Sequence, residues 1–159
     1  MKWTNFNIQT FKSLLYFLLI PLSFIYGSIT AIRNLLFDYG IFKSVSHNIP
    51  IICIGNLSVG GTGKTPHTQY IIDLLNPDYK VAILSRGYGR KTSTLQYVET
   101  TSNATEVGDE PLQLKLNNPN CIVVVEKNRN KGVKKILKDF PKTDVILLDD
   151  GYQHRWIKA

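Results

Sequence analysis

The chain reads as an α/β protein, a mostly parallel sheet covered by helices on both faces and preceded by a hydrophobic N-terminal helix. Three observations predict this. From residue 49 onward, short apolar runs alternate with helix-like stretches, the pattern of βα units whose strands are buried on both sides. A glycine-rich run, Ser58-Val59-Gly60-Gly61-Thr62-Gly63-Lys64-Thr65, stands between the first apolar run and the first helical stretch. Before all of this, Ser13 to Ile32 holds no charged side chain and is dominated by Leu, Ile, Phe and Tyr.

That uncharged segment would form a helix of about 30 Å, the hydrocarbon thickness of a bilayer. Pro21 and Gly27 interrupt it, Tyr16 and Tyr26 favour interfaces, and Phe37, Tyr39 and Phe42 continue an aromatic stretch past Arg33. Membrane attachment is expected, by a span or by a partly embedded helix. The rivals are a helix packed on the protein's own core and a cleaved leader, the latter opposed by the lack of a small-x-small site after the run.

The 159 residues are 43% hydrophobic and 19% charged, which excludes wholesale disorder. The net charge of +7 divides into four basic and one acidic residue in 1–48, and fifteen basic and eleven acidic in 49–159. Both parts suit anionic partners. Nucleic acid is not expected among them, because the basic residues are dispersed and no reading motif accompanies them.

Taken in order, 49–54 reads as a strand and 64–75 as the helix after it, ended by Pro77 and Asp78. A second strand follows at 80–84, a short strand or hairpin arm at 95–99, a short helix at 110–116 and a strand at 121–125. A helix at 130–139 carries lysines on its exposed side, and a last strand at 144–148 runs into Asp149-Asp150-Gly151. Cys53 and Cys121 each lie inside an apolar run and read as reduced core residues, since a disulfide framework or zinc site needs more ligands at closer spacing.

The glycine-rich run carries the chemistry. Its glycines let consecutive backbone N–H groups turn around a phosphate, and the following helix turns its positive N-terminal end to the same anion. Lys64 would reach the outer phosphates, and the Thr65 hydroxyl would ligate Mg2+. Ser58 stands where glycine usually opens the pattern. At the other end of the domain, an apolar strand ending in Asp149 and Asp150 would place carboxylates near the metal; two solvated aspartates in a turn are the plainer alternative. ATP is favoured over GTP, because the nearest string to the guanine-reading Asn-Lys-x-Asp is Asn130-Lys131-Gly132-Val133, without the Asp. The expectation sharpens to a P-loop NTPase-type three-layer fold: 1–48 as membrane-associated helix and connector, 49–159 as the P-loop nucleotide-binding domain.

Four segments in the same order resemble the tetraacyldisaccharide 4'-kinase (lipid A 4'-kinase) family of Gram-negative bacteria. They are Gly55-Asn56-Leu57 running on through the loop to Pro66, Ser85-Arg86-Gly87-Tyr88-Gly89-Arg90, Val107-Gly108-Asp109-Glu110-Pro111 and Asp149-Asp150-Gly151-Tyr152-Gln153-His154-Arg155. The resemblance implies transfer of the ATP γ-phosphoryl group to the 4'-hydroxyl of a tetraacyldisaccharide 1-phosphate, giving lipid IVA at the cytoplasmic face of the inner membrane. It implies that Asp109 acts with a distant histidine to deprotonate the sugar hydroxyl, with Glu110 beside it, and that Asp149 and Asp150 lie by the magnesium. Arg86 and Arg129 would hold anionic groups, and the basic, aromatic loop ending in Arg90 and Lys91 suits a sugar or phosphate acceptor. Asp109-Glu110-Pro111 also reads as a helix start, and His154 as a structural residue. Members of the family are longer, and the C-terminal half with the partner histidine is absent from these residues.

Phosphoryl transfer needs alignment and charge neutralisation more than covalent chemistry, which fits a lysine, a metal and a carboxylate near the attacking hydroxyl. The rival from another class is a membrane-tethered P-loop ATPase or nucleotide switch acting on a protein; a scaffold that has lost catalysis is a third. No obligate protein partner is inferred.

Overall fold

The computed structural model describes residues 4–55, 64–149, 151 and 154–159; within these, side chains are described from residue 16 onward, except at 18, 64 and 65. The chain divides into two compact units, Met1–Lys43 and Ser44–Ala159.

The first unit is one helix, α1 (Thr4–Asp38), of 35 residues and about 50 Å at 1.5 Å per residue. Its Leu19–Asp38 stretch is long and apolar enough to cross a membrane, and none of the apolar window is buried. Phe17, Ile20, Phe24, Ile29 and Ile32 are exposed. Pro21 lies inside the helix and brings no N–H to the ladder. The hydroxyls nearby are satisfied internally, Ser23 Oγ donating to the Ile20 carbonyl at 2.8 Å and Thr30 Oγ1 to that of Gly27 at 2.8 Å. The helix stops at a glycine cap: Gly40 N donates to the Phe37 carbonyl at 3.1 Å, and the Phe42 ring folds back edge-on to Phe37 with centroids 5.4 Å apart.

The second unit is a five-stranded sheet in the order β1-β5-β2-β4-β3, formed by β1 (Ile51–Ile54), β2 (Val81–Ser85), β3 (Gln96–Tyr97), β4 (Ile122–Val125) and β5 (Val145–Asp149). All pairings are parallel except β3 with β4. The helices are α2 (Lys64–Leu75), α3 (Ala104–Val107), α4 (Asp109–Asn117) and α5 (Arg129–Asp139).

Strand alternation splits the apolar residues between two layers. Val81, Ile83, Val123, Val125, Val145 and Leu147 join Ile72 of α2 and Leu114 of α4 in one core. Ala82, Leu84, Val124, Ile146 and Leu148 join Val133 and Ile136 of α5 in the other. Both faces of β2 and β5 are therefore buried, which is why their sequences run apolar without a break. Fully buried side chains such as Ile72, Ile83, Leu114 and Ile136 each contribute about 1.5–3 kcal/mol. On the second face α5 comes very close: a Cβ at Gly132 would stand 2.6 Å from Leu84 Cδ1.

The three-layer α/β expectation is met, with local differences. β1 begins at Ile51 rather than 49 because Pro50 has no N–H to give, although its carbonyl still accepts from Ile146 N at 3.0 Å. The 95–99 stretch keeps only two residues of strand, antiparallel to β4. α3 is absent from the sequence expectation; it is a single turn held by the Asn103 side chain, which accepts from Thr105 N, and so short a helix has no apolar period to read. Neither Cys53 nor Cys121 is in a disulfide; Cys121 is buried as expected of a core residue, and Cys53 is half-buried.

Candidate functional site

In a parallel sheet every carboxyl end points the same way, and the crevice outside those ends is where such folds bind ligands. β1, β2, β4 and β5 bring Gly55, Ser85, Glu126 and Asp149 to that edge. Because β5 lies between β1 and β2, Ile54 at the end of β1 is in register with Asp149 at the end of β5. The Gly151 N–H, donating to the Ile54 carbonyl at 3.2 Å, ties the turn after β5 to the same point.

The glycine-rich run connects this edge to α2. Ser58, Val59, Gly60, Gly61, Thr62 and Gly63 lie outside the described residues, as does Asp150. Lys64 and Thr65 open α2; of these two the backbone alone is described. The strand before and the helix after the run are thus in place.

Asp149 is 4% exposed. Its Oδ2 accepts from Ser85 Oγ at 3.2 Å, and Ser85 Oγ accepts in turn from Gly87 N at 3.4 Å. Arg129 is buried to 3% exposure and donates from Nη1 to the Glu126 carbonyl at 2.7 Å and from Nη2 to the Asp149 carbonyl at 3.3 Å. Two strand ends are thereby clamped by one guanidinium, while Glu126 N donates to the Ser85 carbonyl at 3.0 Å.

Asp109 is the first residue of α4, and Gly108 is its N-cap. The carboxylates of Asp109 and Glu110 are exposed, in the first turn where the helix dipole favours negative charge. Gly108, at φ +97°, lies backbone to backbone against the loop after β2: a Cβ on it would stand 3.1 Å from the Tyr88 carbonyl oxygen and 3.2 Å from Gly87 Cα. Ser85, the 86–90 loop and Asp109 are consequently joined through the packed backbones of Gly87 and Gly108, with Ser85 buried and Arg86 and Asp109 exposed.

The three arginines separate. Arg86 is exposed at this loop. Arg90 is 9% exposed, packs across Gly87 and donates from Nη1 to the Thr94 carbonyl at 2.6 Å. Burial lowers its pKa from the usual arginine value, and the Glu126 carboxylate opposes the shift. Arg90 and Arg129 thus both bond main-chain carbonyls, and Arg129 alone of these two touches Asp149.

Among the described residues no three His, Cys, Asp or Glu side chains gather to hold a metal. Mg2+ is a hard cation that takes one or two oxygens from protein and fills its shell with phosphate and water. A buried carboxylate at Asp149, with a hydroxyl residue at the start of α2, is a donor set of that kind. His154 follows this turn and, with Lys127, Arg129, Asn130 and Trp156, lines a cavity of about 470 Å³ at the start of α5. Sequence reasoning passed over Ser85 and Glu126, whose one signal is a polar residue directly ending an apolar strand.

The model of the LpxK family, tetraacyldisaccharide-1-P 4'-kinase, matches residues 15–159. A tetraacyldisaccharide 4'-kinase of Flavobacterium johnsoniae is 50% identical over 147 residues, 92% of this chain and 43% of that protein. One from Bacteroides thetaiotaomicron is 48% identical over 141 residues, 88% of this chain and 37% of that one. The crystal structure of LpxK from Aquifex aeolicus in complex with ATP superimposes with a TM-score of 0.82 at 40% identity, covering 91% of this chain and 46% of that one. The chain spans less than half the length of these relatives.

Proposed function

This chain belongs to the tetraacyldisaccharide-1-P 4'-kinase family, and we propose that it carries the nucleotide-binding part of an enzyme that phosphorylates the 4'-hydroxyl of tetraacyldisaccharide 1-phosphate. The observation that carries the reading is the register of Ile54 with Asp149. It sets the strand leading into the glycine-rich run beside the strand ending in acid, at the edge where α2 begins.

In this reading ATP lies with its phosphates against the N-terminus of α2, cradled by residues 58–65, with Lys64 on the outer phosphates. Mg2+, when bound, neutralises phosphate charge; Thr65, Asp149 and Asp150 would hold it. Asp109 receives the proton of the sugar hydroxyl, together with a histidine from the part of the family's length this chain does not span. Glu110 supports that end of the site. Arg86, exposed on the loop beside Asp109, holds an anionic group of the lipid, and Arg90 and Arg129 shape the loop and strand ends around it. The work is alignment and charge neutralisation.

The domain boundary is read near residue 48, with α1 attaching the protein to the bacterial inner membrane, as a span or in the interface, and the site facing the cytoplasm. An unburied helix able to cross a bilayer suits an acceptor whose acyl chains stay in one.

Incubating the intact protein with γ-labelled ATP and the disaccharide lipid tests the reading. Labelled lipid is expected; steady ATP hydrolysis with no labelled lipid would overturn it in favour of a nucleotide switch. For the loop itself, Lys64→Ala should abolish ATP binding, and unaltered binding would remove the phosphate cradle.

A further inference from the structure

We propose that Ser85 is a positioning residue that couples the metal-side carboxylate Asp149 to the loop bearing Arg86 and, through it, to Asp109. The inference rests on the kinase reading above. Ser85 ends β2, between β5 on one side and β4 on the other, and is 3% exposed. Its hydroxyl has one proton and two lone pairs. The proton goes to Asp149 Oδ2, and a lone pair takes the Gly87 N–H. Its carbonyl accepts from Glu126 N at 3.0 Å, so the side chain is fixed from a backbone that both neighbouring strands restrain.

Gly87 is where the chain leaves the sheet, at φ +68°, and its Cα is one of the atoms a Cβ on Gly108 would strike. Asp109 follows Gly108 directly. The path from Asp149 to Asp109 therefore runs through one hydroxyl and two close-packed glycines, with no long flexible side chain between them. A carboxylate by the phosphate side and a carboxylate by the acceptor side are held in one frame, which is what in-line transfer requires of groups on different elements. Alanine at 85 would free the Asp149 carboxylate from this contact and leave the buried Gly87 N–H without its acceptor.

The test uses the intact protein with Ser85→Ala and, to keep the hydroxyl, Ser85→Thr. Titration calorimetry measures ATP affinity with Mg2+ and with EDTA, and steady-state kinetics gives kcat and KM. In Ser85→Ala the gain in ATP affinity conferred by Mg2+ should shrink severalfold while affinity in EDTA stays unchanged. Its kcat should fall by about tenfold, the size of one lost charge-assisted hydrogen bond, with KM for ATP within about threefold, and Ser85→Thr should restore most of the loss. An unchanged Mg2+ effect in Ser85→Ala, or an equal loss of affinity with and without Mg2+, would overturn the proposal. If the unsubstituted protein transfers no phosphate, the kinase reading fails, and the calorimetric comparison still judges Ser85.

Discussion

Gly87 and Gly108 meet backbone to backbone, the first at φ +68° and the second at φ +97°, with no space for a side chain on Gly87 and a tight fit for one on Gly108. A Cβ at Gly87 would fall 2.8 Å from the Val107 carbonyl oxygen and 2.6 Å from Arg90 Cδ. Replacing either glycine by alanine should cost about 1–3 kcal/mol for the left-handed backbone alone. Because the strain falls between the 86–90 loop and Asp109, phosphoryl transfer should drop more than ATP affinity does. Denaturant titration and calorimetry on Gly108→Ala check the two parts; an alanine variant with unchanged stability would mean that the loop relaxes freely.

Arg129 makes a prediction that separates scaffold from ligand contact. Its guanidinium donates to the carbonyls of Glu126 and Asp149, so Arg129→Met should lower the stability of the nucleotide-free protein by about 1.5–3 kcal/mol. A residue that served solely to bind an anion would leave nucleotide-free stability untouched and weaken binding alone.

The contact of Gly132 with Leu84 can be weighed by a double-mutant cycle. Gly132→Ala gains up to about 1 kcal/mol of helix propensity, yet its methyl enters space held by a leucine with 0% exposure. Overpacking of this kind costs about 1–3 kcal/mol, so the substitution should be destabilising on balance. In a Leu84→Ala background it should become neutral or stabilising. Equal effects in both backgrounds would show that α5 shifts as a body.

The Tyr97 hydroxyl donates to Asp139, joining β3 to the end of α5. Lys135, at 2.7 Å, and then Tyr97 hold the Asp139 carboxyl below the usual carboxylate range. Burial first and Asp139 second push the Tyr97 phenol above its ordinary value. A depressed carboxyl stabilises the fold fully above its unfolded pKa of about 3.9 and loses that contribution as pH falls through its lower folded value. The raised phenol contributes below about pH 10 and loses its share as pH climbs toward the folded value. Asp139→Asn should therefore lower stability at neutral pH, where the contribution is fully present, and flatten the acid limb of a stability-versus-pH curve below about pH 4, where the two proteins converge. An acid limb identical to that of the unsubstituted protein would dismiss the pair.

The strands were legible because β2 and β5 are buried on both faces, and an unbroken Val-Ile-Leu run has few other homes. α4 was legible from Asp109-Glu110-Pro111, since acids and proline crowd a first turn. The neighbourhood of the site was less so. Nothing in the local sequence says that β5 inserts beside β1, and that pairing is what sets Asp149 beside the strand leading into the glycine-rich run. Arg90 and Arg129 read as holders of anionic groups, because charge patterns do not show that main-chain carbonyls will bond a buried guanidinium. Ser85 looked like the first residue of a loop; its hydroxyl acquired a partner when a strand from far along the chain came alongside.

The strand order also constrains how the protein is made. β1 pairs with β5, so the segment leading into the nucleotide loop emerges from the ribosome well before the stretch it will bond to. Until residues 145–149 are synthesised, an apolar ribbon with unsatisfied amides waits without its partner strand. Non-local pairing of this sort forms late and exposes nascent chains to aggregation, so stalling translation ahead of β5 should hand chaperones or proteases a polypeptide whose phosphate cradle has not yet taken shape.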